Sequence, residues 1–261
     1  MSRHPEQREG SAPPGLSEYL LRLGDDRLVL GHRLSEWCGH APILEEDIAL
    51  ANIALDLVGE ANLLLTLAAE AEGAGRDADA LAFLRDGIDY RNCLLVELPK
   101  GDFAFTIARQ FLFSVYALLQ SEALQRSANQ DLAGVAAKMH KEAKYHVRHS
   151  GEWVLMLGGG TEESHARLQA AVTDLWRYTG ELFMTDDLER DLVSQRIGVD
   201  SSTLEGPWKS QVLDVFGRAG IRTPDVAWMQ RGGRQGKHTE HLGHMLAEMQ
   251  VLQRQHPGAT W

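Results

Sequence analysis

Cysteine is scarce: Cys38 and Cys93 are the only two, and they lie far apart in sequence. They make neither a disulfide framework nor a CxxC site, so buried free thiols in a reducing cytoplasm are expected. Runs of Val, Ile and Thr are few, which argues against sheet. No sustained basic stripe interrupts a formal net charge of -11. Rows of phosphates would go unneutralised, and a nucleic-acid partner is excluded. Segment 1–14 has no apolar stretch able to act as a signal peptide. The most apolar window, 48–69, is broken by Asn52, Asp56, Glu60 and Asn62, so it reads as a core helix and no membrane span is expected. GxSxG, a P-loop and GxGxxG behind a strand are also missing, as are internal repeats.

Helix is what the chain is rich in, through long segments of Ala, Leu and Glu. Residues 1–14 are too polar to fold and read as a flexible tail; 15–261 read as one domain. Apolar spacing predicts a first helix from Leu16 to about Cys38. Gly39 suits the left-handed stop, and Pro42 opens a second helix, with Glu45, Glu46 and Asp47 in its first turn, running to about Glu72. After a broken stretch at 73–101, Asp102 caps a third helix over 103–127, too apolar on all sides to be anything but central. A fourth runs over 132–157 and stops at Gly158-Gly159-Gly160. Four long helices with one larger connection predict an all-α, ferritin-like four-helix bundle, its core at about 16–157. Additional C-terminal helices follow over 161–255, broken by a glycine-rich basic loop at 231–237 that reads as flexible.

Such bundles can hold two irons on a Glu from each of two helices and a Glu-x-x-His pair from each of the others. The only Glu-x-x-His here is Glu162-x-x-His165, outside the bundle, where Thr161 and an acidic first turn explain it as a helix start. On helix two, Asp56 is followed three residues later by Gly59. On helix four, Glu142 is followed by Tyr145, with His146 one place further. Two readings remain open. Glu142, His146 and His149 share a face and could hold a single metal. Alternatively, Asp56, Glu142 and His146 form a polar remnant without metal, with Arg109 and Gln110 of helix three neutralising the carboxylates. His238, His241 and His244 form a second histidine series, readable as a metal site or as solvated or interface residues. It matches neither HExxH nor HxxEH.

Certain longer strings are specific to a family. Glu36-Trp37-Cys38-Gly39-His40-Ala41-Pro42, Leu50 to Asp56, Thr106-Ile107-Ala108-Arg109-Gln110, Lys141 to His146, Leu175-Trp176-Arg177 and His238 to Gly243 resemble the family of non-catalytic, structural subunits of bacterial ring-1,2-phenylacetyl-CoA epoxidases. The similarity spans about residue 16 to Trp261. It implies a structural subunit of a multicomponent monooxygenase in phenylacetate catabolism, partnered by a related ferritin-like catalytic subunit that carries the di-iron centre. NADPH is used by a separate reductase subunit, and no cofactor is expected in this chain. The resemblance also implies contacts to the acyl-CoA, phenylacetyl-CoA, from Asp89, Tyr90, Arg91 and Asn92 and from Arg190, Asp191 and Leu192. A stand-alone metal-dependent oxidoreductase and a CoA-thioester-binding module without oxygen chemistry are the alternatives.

Overall fold

A computed structural model describes residues 12–259. Most of the expected tail therefore lies outside the described residues. Among these, no strand occurs, and four helices dominate: α1 (Leu16–Ser35), α2 (Leu44–Glu72), α5 (Phe103–Leu124) and α6 (Gln130–Gly158). Short helices α3 (Ala78–Phe83) and α4 (Leu94–Glu97) lie in the connection between the two long pairs. Helix α1 packs along α2, α5 along α6, and α2 meets α6, closing the bundle. The all-α, ferritin-like reading holds.

Local chemistry sets the helix ends. Asp102 accepts from Phe105 N at 2.8 Å and Asn129 from Leu132 N at 3.0 Å, each satisfying an otherwise orphaned donor. Gly39 takes φ +77°, as its place after α1 requires. Helix α2 starts at Leu44 rather than Pro42, and α1 ends at Ser35. Helix α5 is buried almost all round, as its composition demands. Of the two thiols, Cys93 is buried but Cys38 is exposed in the turn after α1, which corrects the expectation of two buried thiols.

The C-terminal helices α7 (Glu162–Trp176), α8 (Asp187–Ser194), α9 (Glu205–Arg218), α10 (Glu240–Met249) and α11 (Val251–Gln255) wrap the bundle. An aromatic seam joins them to α5. Trp208 is fully buried between Trp176 and Phe183, and its Nε1 donates to Leu112 O at 2.9 Å. Helix α7 stops at Trp176. Gln230 N takes up Arg177 O at 2.7 Å, and a tight 3-10 turn follows over Gly180–Phe183.

The loop at 231–237 is not flexible. Gly232, Gly233 and Arg234 are buried, and Glu181 Oε1 accepts from both Gly232 N and Arg234 N. A Cβ on Gly233 would stand 2.1 Å from Asn92 O. Glycine is used here for close backbone approach rather than for freedom of movement.

Candidate functional site

Helix α1 carries Asp25, Asp26 and Arg27 in succession, all fully buried. Arg27 points into the bundle. Its Nε donates to Glu60 Oε2 at 2.7 Å, its Nη2 to Gln120 Oε1 at 3.1 Å and its Nη1 to Leu23 O at 3.0 Å. Gln120 then donates to the Tyr116 hydroxyl at 2.7 Å. Helices α1, α2 and α5 thus meet in one polar chain. Burial pushes the Glu60 carboxyl up to about 8; Arg27 opposes the rise and Glu142, within hydrogen-bonding reach, adds to it. Glu142 Oε1 meets Lys138 at 3.1 Å, while its buried Oε2 has no donor.

Beside this cluster two imidazole–carboxylate pairs tie α6 to α2. His146 Nε2 lies 3.1 Å from Asp56 Oδ2, and His149 Nε2 lies 2.9 Å from Glu46 Oε2. Both histidines are buried, and His146 is further fixed by Ser150, whose hydroxyl donates to His146 O at 2.6 Å. Gln110 donates to Ser114 at 2.9 Å and faces a cavity of about 10 Å³ lined also by Arg27, Glu60 and His146.

Of the predicted remnant, Asp56 and His146 pair directly, with Gln110 and Glu142 nearby. Arg109 does not join them. One helical step from Gln110 it turns the other way, and its Nη1 donates to Leu98 O and to Pro99 O, the latter at 3.0 Å. Its Nε and Nη2 are buried without partners. Burial lowers its pKa from the usual arginine value, helped by Arg33. The cation that meets a carboxylate inside the bundle is Arg27, not Arg109. Arg27, Glu60, Gln120 and Glu46 were missed as site residues. Charged residues inside the apolar run Leu20 to Leu34 were the available signal, because a helix with no room for a polar face must bury them.

A dinuclear centre requires carboxylates and imidazoles converging on shared ions. Here Glu60 is held by a guanidinium, Asp56 and Glu46 each face one imidazole, and among the described residues no group of three or more His, Cys, Asp or Glu is placed to hold a metal. These donors do not fit such a centre. The other histidines have separate duties. His165 Nδ1 bonds Gly158 O at 2.8 Å, closing the end of α6. His238 Nδ1 lies 2.7 Å from Glu97 Oε2 and its Nε2 lies 3.0 Å from Tyr90 O. Burial opposes charging His238, but the Glu97 contacts outweigh it and raise the pKa. His241 is half-buried and His244 exposed.

The residues connected with acyl-CoA by resemblance border the first half of α1. Tyr90 and Asn92 are fully buried, the former bonding Ala82 O and the latter Glu97 Oε2 at 2.8 Å. Arg91 pairs with Glu18 at 2.9 Å, and Arg190 with Asp187 at 2.6 Å. Asp89 and Asp191 are exposed, whereas Leu192 is buried.

Comparison with known proteins agrees with this architecture. The subunit designated C of the 1,2-phenylacetyl-CoA epoxidase of Escherichia coli (strain K12) is 48% identical over 246 residues, covering 94% of this chain and 99% of that protein. The family described as "Phenylacetic acid catabolic protein" matches residues 2–261. With a ferritin-like bundle whose centre holds an arginine–glutamate pair, the chain belongs to the family of phenylacetic acid catabolic proteins.

Proposed function

We propose that the chain is the non-catalytic, structural subunit of a multicomponent phenylacetyl-CoA 1,2-epoxidase. It binds and supports a related catalytic subunit that carries the di-iron centre, while a reductase subunit draws electrons from NADPH. The chain itself holds no metal and works in the cytoplasm. The observation that carries this reading is the Arg27–Glu60 pair at 2.7 Å in the middle of the bundle. A buried guanidinium placed against the carboxylate repels a divalent cation electrostatically and has no redox capacity. Contacts to phenylacetyl-CoA belong to the same proposal at the rim formed by Asp89, Arg91, Arg190 and Asp191. The side chains of Tyr90, Asn92 and Leu192 are buried and take no direct part in such contacts.

The test is metal analysis of the chain expressed alone in iron-supplemented medium, beside the same analysis of a complex co-expressed with the catalytic subunit. No iron in the lone chain, with iron and a stable heteromer in the complex, is the expected result. About two irons per chain in the lone protein would overturn it.

A further inference from the structure

Helices α2 and α5 are the two most apolar long helices among the described residues, each long and apolar enough on composition to span a membrane. The protein treats them differently. In its most apolar window α5 is 78% buried, but the corresponding window of α2 is only 44% buried. The bare side of α2 is one continuous ridge. Leu44 is 72% exposed, Ile48 55% and Leu55 69%, with Val58 and Leu63 further along. Steps of four, seven and three keep the first four residues on one stripe of the helix. From Leu44 to Val58 this stripe runs about 21 Å at the standard rise.

The adjoining edge of α6 has a different character. Lys138, Lys141, Tyr145, Arg148, Glu152 and Met156 follow one another along it, all exposed. Lys138 Nζ lies 3.7 Å from where a Cβ on Gly59 would be, so this edge borders the α2 ridge directly. Arg148 stacks over Tyr145 at 5.5 Å. Lys138 is paired with Glu142 at 3.1 Å, so Lys141 and Arg148 are the cations this edge offers beside the apolar ridge in a chain of net charge -11.

We infer that the α2 ridge and the Lys138-to-Arg148 edge of α6 form the surface on which a partner subunit lays an apolar helix flanked by carboxylates. The inference rests on the subunit reading above and deepens it by assigning the face and its chemistry. A protein occupant is favoured over a bilayer by the exposed Asn52 and Asn62 along α2. Lipid tails would bury their amides without donors or acceptors, whereas a partner chain can supply them. The cationic edge steers association, and the ridge holds the complex once formed.

The experiment uses the full chain and the catalytic subunit of the epoxidase, with affinity and association rate measured at several salt concentrations. Ile48→Asp with Leu55→Asp is expected to weaken binding at least tenfold while the thermal unfolding of the chain alone stays unchanged, because both side chains are exposed. Lys141→Glu with Arg148→Glu is expected to slow association severalfold and to flatten its salt dependence. Wild-type affinity in both double variants would overturn the inference and leave the subunit reading intact. Failure of the wild-type chain to bind the catalytic subunit would overturn that reading itself. Two further results would also overturn the inference by showing another occupant. One is co-sedimentation of the wild-type chain with phosphatidylcholine–phosphatidylglycerol vesicles; the other is a dimer of the chain alone that Leu55→Asp dissociates.

Discussion

Asp25 and Asp26 face one way from α1 and Arg27 the other, and the two regions they serve are built differently. On the outer side, Arg85 pairs with Asp25 through both terminal nitrogens. Arg234 does the same with Asp26, at 3.0 and 2.7 Å. Backbone donors complete both carboxylates: Arg91 N at 2.8 Å for Asp25, and Cys93 N at 2.7 Å for Asp26. This clamp fastens segments from the connection and from the C-terminal loop onto α1. On the inner side, Glu60 has one arginine contact and a raised pKa, and buried atoms of Glu142 and Gln110 are left without a donor. A saturated network fixes a unique packing, whereas the inner one leaves buried polar atoms without partners.

The difference can be broken at several points. Asp26→Ala should have the largest effect, because it strands the buried Arg234 guanidinium. A loss of about 3–5 kcal/mol in urea unfolding is expected. Arg27→Met should cost less, about 1–3 kcal/mol near pH 6, because Glu60 is then neutralised by a proton rather than left charged. Equal losses in the two variants would erase the distinction between the regions.

A double-mutant cycle between Arg27 and Glu60 should show coupling of about 0.5–3 kcal/mol, and one between Arg109 and Glu142 none. Coupling in the second pair would restore the arrangement expected from sequence and contradict the hydrogen bonds of Arg109. Glu60→Gln tests the proton. With its pKa near 8 in the folded chain and the ordinary value near 4.5 when unfolded, Glu60 binds more protons in the folded state between those limits. Its contribution is therefore full below about 4.5 and declines as pH rises toward about 8. Glu60→Gln should flatten the stability–pH curve in that window; an unchanged slope would show that Glu60 is ionised throughout. His146→Ala should have the smallest effect, about 1 kcal/mol, since its partner Asp56 is partly solvated and screened.

Much of the fold was legible in the sequence. The stops at Gly39 and Gly158 and the caps Asp102 and Thr161 are local signals, decided within a turn of chain. The all-round apolar character of α5 announced a central helix in the same way. The lack of Glu-x-x-His pairs inside the bundle was equally visible. What was misread depends on direction. Arg109 and Gln110 are neighbours in sequence, and spacing alone does not say which of them faces α2 and α6.

The loop at 231–237 was misread for a related reason. Its glycines resemble a flexible linker until Asn92 O is found where a Cβ on Gly233 would be.

Sequence by itself determined the helices, their boundaries to within a few residues, the bundle class and the family strings, because periodicity, capping and composition act over short stretches. Tertiary structure alone decided the partners of the charges: Arg27 for Glu60, Arg234 for Asp26, and backbone carbonyls for Arg109. It also decided that one face of α2 stays uncovered. A buried charge is stabilised only by groups brought to it from distant parts of the chain, and 208 residues separate Asp26 from Arg234.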